Sequence, residues 1–135
     1  FAGFRPDAVQ LACGLDVACL VSVQETFPTS VIEAMAAGVP VVMTDPPGVP
    51  PLVDDGVTGF RIRVGDEDAL VDRLGRLLGD AGARARMGAA ARHRAATEYP
   101  LTRTVDRYAQ VFAAVAARRG RAGVSGATGA GPAGR

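Results

Sequence analysis

The chain has 135 residues and is 48% hydrophobic, enough for one packed core and no more than one domain. Its net charge of +1 gives no electrostatic pull toward nucleic acid or an anionic membrane. All its basic residues are Arg, so no Lys stands ready to hold a phosphate.

Residue 1 is Phe, no signal-like segment opens the chain, and Asp16 interrupts the only long apolar stretch. The sequence therefore reads as a piece of a longer, cytoplasmic polypeptide with no membrane association indicated in this segment. Cys13 and Cys19 are spaced unlike a zinc or redox pair, and both are expected as reduced core residues.

A short helix is expected from Pro6 to Ala12, ending near Gly14. The apolar run Val17–Val21 predicts a buried strand. A helix follows from about Pro28 to Ala37, with Gly38 at its C′ position and Pro40 preventing its continuation. Val39–Met43 predicts a second strand, which completes a βαβ unit. The prolines of the stretch Thr44–Pro51 forbid regular structure. Asp55-Gly56 signals a turn, and Gly59–Val64 predicts a short third strand.

Asp66 is placed to cap a helix whose apolar stripe is Leu70, Leu74, Leu77 and Leu78. An Arg- and Ala-rich helix is expected from about Ala81 to Tyr99, with His93 on its surface. After Pro100, Val105, Tyr108, Phe112 and Val115 stripe a last helix. Residues 118–135 are Gly-, Ala- and Ser-rich and predict a disordered tail, which leaves 1–117 as the folded domain. The fold class expected is α/β, a partial Rossmann-like parallel sheet with flanking helices.

Two of the four Glu in the chain, Glu25 and Glu33, stand eight residues apart around the start of the second helix. Glu25 falls at the carboxyl end of the first strand, and Glu33 about 8 Å into the helix. In open α/β sheets that crevice is where nucleotides bind, and a helix start offers a phosphate free N–H groups and a positive dipole end. A plainer reading stands beside this one. Ser30-Val31-Ile32-Glu33 fits a capping box, with Glu33 reaching back to the Ser30 amide and Glu25 left as a solvated loop residue.

The segment resembles the E-x7-E motif of retaining GT-B glycosyltransferases, family 4 in particular, through Glu25, Phe27, Glu33, Ala34, Met35, Ala36, Gly38, Pro40, Val41 and Val42. The stretch Leu52-Val53-Asp54-Asp55-Gly56-Val57-Thr58-Gly59-Phe60 resembles that family's L-V-x-D-G-x-T-G-x pattern. Gly65-Asp66 and Met87-Gly88 downstream, and Gly3-Phe4-Arg5 and Leu15-Asp16-Val17 upstream, fall where the pattern puts them. The likeness covers about residues 1–112.

The resemblance implies the second half of a GT-B C-terminal domain, whose earlier strands and acceptor-binding N-terminal domain lie upstream. It implies a hexosyltransferase-like enzyme that moves a sugar from a UDP- or GDP-sugar to a glycan, lipid or small-molecule acceptor. This segment would bind the donor and be inactive alone. By similarity Glu25 and Phe27 meet the donor sugar, Thr29 and Ser30 the diphosphate, and Glu33 the ribose hydroxyls. The resemblance implies no metal, no cofactor and no assigned catalytic nucleophile.

Departures from the family pattern are Thr26 and Pro28 for glycines, Pro47 for a flexible Gly and Pro51 for a Glu. Pro51 and the missing upstream half favour as an alternative a degenerate or truncated nucleotide-sugar-binding module without catalytic activity. A sugar-nucleotide epimerase or a phosphorylase is a further alternative, but these lack the E-A-M-A-x-G-x-P-V-V run.

Overall fold

Three short apolar segments pair in parallel, in the order β1 (Ala18–Leu20), β2 (Val41–Thr44), β3 (Gly59–Ile62). Ala18 lies opposite Val41, and Val41 opposite Gly59. This is the expected α/β arrangement, seen in a computed structural model that describes residues 3–124. The helices are α1 (Ala8–Ala12), α2 (Thr29–Ala36), α3 (Glu67–Gly79), α4 (Ala81–Glu98) and α5 (Leu101–Val124).

Parallel strands need both faces covered, and β2 meets that need by alternation. Val41 and Met43 join Val31, Ala34 and Met35 of α2 and Ala91 and Ala95 of α4 in one core. Val42 turns to the other face and packs with Phe60, Ile62 and Leu77, covered by α3. All of β2 is buried. Leu77 and the partly buried Leu70 and Leu74 form the apolar stripe of α3, but Leu78 is 64% exposed, contrary to expectation.

The edge strand β1 brings the main correction. Cys19 and Cys13 are both exposed rather than core residues. Ala18 and Leu20 point inward against the core, so the strand pleat turns the intervening Cys19 outward.

Two glycines let α4 approach α2 closely. Gly38 ends α2 at φ +80°, and a Cβ on Gly88 would lie 2.0 Å from the Gly38 carbonyl oxygen. Gly88, Ala91 and Ala95 are the buried residues of α4, a stripe of small side chains that permits the contact.

Acidic caps start α3 and α4. Asp66 accepts from the Ala69 amide and Asp80 from the Ala83 amide, each at 2.9 Å. Arg84 Nη1 donates to the Leu77 and Leu78 carbonyls at 2.7 and 3.0 Å, which satisfies the end of α3.

The chain divides into two units between Tyr99 and Pro100. In the second unit the Tyr108 and Phe112 rings stack with centroids 6.2 Å apart. α5 continues to Val124, so residues 118–124 are helical rather than part of a disordered tail. Ala and Arg are strong helix formers, which carries the helix past the expected stop. The remainder of the expected tail, 125–135, lies outside the described residues.

Candidate functional site

The carboxyl ends of the three strands carry the loop Val21–Pro28, the Pro-rich segment after β2 and the turn into α3. Thr44, the last residue of β2, is only 4% exposed. Its hydroxyl donates to the Ser22 carbonyl at 2.5 Å and has a longer contact, 3.4 Å, with the Leu20 carbonyl. It thereby pins the start of the loop to the neighbouring strand. The Ser22 hydroxyl in turn donates to Glu25 Oε1 at 2.8 Å. Glu25 is half-buried and held, not a freely solvated loop residue.

Pro28 is the N-cap of α2 and supplies no side-chain cap. Thr29 and Ser30 are the first two helical residues, both exposed, and their amides have no acceptor among the described residues. Ser30 is already inside the helix, so the capping box does not form. Among the described residues Glu33 makes no hydrogen bond back to the Ser30 amide. The helix start is left open, with Glu33 exposed on its second turn.

Ser30 and Glu33 come together on the wall of a groove of about 270 Å³, shared with Ala34, Ala12 and Leu20. Glu25, Phe27 and Thr29 do not line it. A larger hollow of about 470 Å³ opens beside Arg63 and Asp66, and neither carboxylate lines that one. The Phe27 ring, 47% exposed, meets Tyr99 edge-on with centroids 6.4 Å apart, so part of its role is to fix the loop against the end of α4.

The segment after β2 is anchored from α4. Arg94 Nη2 donates to the Pro51 carbonyl at 2.9 Å, and the guanidinium pairs with Asp54 and Glu98. Burial alone would lower the Arg94 pKa, but the Asp54 bond and charge outweigh it and the net shift is upward. Leu52 and Val53 beside this anchor are fully buried.

The Leu52–Phe60 stretch builds the fold rather than the crevice. Thr58 Oγ1 accepts from the Asp54 amide and Asp55 Oδ1 from the Arg61 amide, each at 2.9 Å. Gly59 opens β3 at the amino end of the sheet, where a Cβ would lie 2.0 Å from the Val41 carbonyl oxygen.

Sequence reasoning missed Ser22, Thr44 and Arg94. The Ser22-x-x-Glu25 spacing was a readable signal for the first. Nothing in the sequence signalled that Arg94 would reach Pro51.

Residues 1–94 match the family described as glycosyl transferases group 1. The chain is 30% identical over 112 residues to N-acetyl-alpha-D-glucosaminyl L-malate synthase of Bacillus anthracis, covering 83% of this chain and 29% of that protein. It is 39% identical over 80 residues to a D-inositol 3-phosphate glycosyltransferase of Nocardia farcinica, covering 59% of this chain and 18% of the relative. Among solved structures, Anabaena HepE in complex with UDP-glucose superposes with a TM-score of 0.79 at 28% identity, covering 84% of this chain and 32% of HepE. HepE in complex with UDP gives 0.78 over the same shares. The chain thus spans less than a third of the length of each of these proteins.

Proposed function

Given that this chain belongs to the group 1 glycosyl transferases, we propose that it is the donor-binding part of a retaining glycosyltransferase of the E-x7-E type. The polypeptide carrying it transfers a sugar from a nucleoside-diphosphate sugar to an acceptor bound by a separate domain. This chain alone does not turn the donor over.

The observation that carries the reading is the open start of α2. Among the described residues the Thr29 and Ser30 amides are unengaged, and Glu33 is not spent on a cap. In this reading the amides and the helix dipole meet the diphosphate. Glu33 accepts from the ribose hydroxyls, and Glu25 with the Phe27 segment holds the donor sugar so that its anomeric carbon faces the acceptor. The likeness to HepE, solved with UDP and UDP-glucose, supports a uridine donor; a guanosine donor is the other case to test.

Transfer by the full-length polypeptide tests the reading. Glu25→Gln is expected to lower the transfer rate roughly tenfold or more, the worth of a charge-assisted hydrogen bond, while nucleoside-diphosphate affinity is kept. An unchanged transfer rate in Glu25→Gln would remove Glu25 from the donor site.

A further inference from the structure

We infer that Ser22, itself held by Thr44, is a positioning residue that sets the Glu25 carboxylate for the donor sugar; this rests on the donor-binding reading above. The loop after β1 has no regular structure from Val21 to Pro28, so its own backbone pattern does not hold Glu25 in place. What holds the side chain is the Ser22 hydroxyl, 2.8 Å from Oε1. What holds Ser22 is the buried Thr44 hydroxyl, 2.5 Å from the Ser22 carbonyl. The three residues form a chain of hydrogen bonds from the interior of the sheet to the loop after β1.

The bond pattern also decides which atoms remain for a ligand. A serine hydroxyl has one proton to give, and it goes to Oε1. Oε2 makes no hydrogen bond within the described residues. It is free to accept from a sugar hydroxyl, with its rotamer already chosen. A carboxylate ordered before the ligand arrives loses less freedom on binding, and that advantage falls on the sugar alone.

The test titrates the full-length polypeptide with UDP and UDP-glucose, and with GDP and GDP-mannose, using Ser22→Ala, Ser22→Thr, Glu25→Gln and the double variant Ser22→Ala/Glu25→Gln. For the pair that binds, Ser22→Ala is expected to weaken the nucleotide sugar about tenfold while leaving the free nucleotide and the melting temperature unchanged. Ser22→Thr restores binding, and Ser22→Ala adds nothing in the Glu25→Gln background. The inference is overturned if Glu25→Gln weakens sugar binding and Ser22→Ala does not. It is equally overturned if Ser22→Ala weakens nucleotide and nucleotide sugar alike, or acts undiminished in the Glu25→Gln background, since either marks a merely structural role. If Glu25→Gln binds every ligand like the unaltered protein, or the unaltered protein binds neither pair, the donor reading itself fails and the inference falls with it.

Discussion

Arg94 Nη2 donates to the Pro51 carbonyl oxygen at 2.9 Å, tying the C-terminal part of α4 to the end of the Pro-rich segment after β2. The Arg94 side chain is 13% exposed, while its partner Asp54 is 53% exposed. Water can therefore replace the Arg94 charge at Asp54 but cannot readily reach the guanidinium's inner face. Arg94→Ala is expected to destabilise the fold by about 1–2 kcal/mol, the cost of a lost charged hydrogen bond and its packing. Arg94→Lys should recover little, because a compact ammonium lacks the spread of the guanidinium fork, whose Nε, Nη1 and Nη2 face Glu98, Asp54 and Pro51 respectively. Denaturant unfolding of the three proteins decides this; a Lys variant as stable as the parent would refute the clamp.

Gly88 and Gly75 predict opposite signs for one substitution. A Cβ at Gly88 would lie 2.0 Å from the Gly38 carbonyl, a backbone atom that cannot turn aside. Gly88→Ala must part α4 from α2 and is expected to cost about 1–3 kcal/mol, as overpacking does. Gly75 lies inside α3, and a Cβ added there would meet nothing within 4 Å. Gly75→Ala is expected to stabilise by roughly 0.5–1 kcal/mol through helix propensity. Thermal melts of both variants check the pair, and equal effects would contradict the close approach.

The Asp80 cap adds one contribution to the acid dependence of stability. The Ala83 amide, foremost, and the charges of Arg86 and Arg84 hold the Asp80 pKa below its ordinary value. A group with a depressed folded pKa contributes stability above its unfolded pKa, about 3.9, and loses it as pH falls through the folded value. Asp80→Asn keeps a capping oxygen without the titration. Its melting temperature should therefore fall less steeply than the parent's below about pH 4. Parallel slopes would show that Asp80 has no part in the acid transition.

The strands were legible where burial is two-sided, as in β2, because a continuous apolar run admits few other readings. Cys19 was misplaced because β1 packs against the core through Ala18 and Leu20 on one face, and a short apolar run does not say whether one face or both are covered. Glu25 and Glu33 were found by spacing, but spacing could not choose between a capping box and an open helix start. That choice turned on whether α2 begins at Thr29 or two residues later at Val31, a shift smaller than sequence patterns resolve. Arg94 was hidden for a different reason: its partner Pro51 lies far away in sequence, and only the fold brings them together.

Calorimetric titration of the full-length polypeptide with nucleoside diphosphate, comparing Glu33→Gln with the parent, tests the central claim most directly. The ribose is present in the free nucleotide as in the nucleotide sugar, so a carboxylate that holds it acts on both. Glu33→Gln is expected to weaken UDP or GDP by roughly tenfold to a hundredfold, the loss of a charge-assisted hydrogen bond. A Glu33→Gln variant that binds the nucleotide as tightly as the parent would contradict the assignment of Glu33 to the ribose.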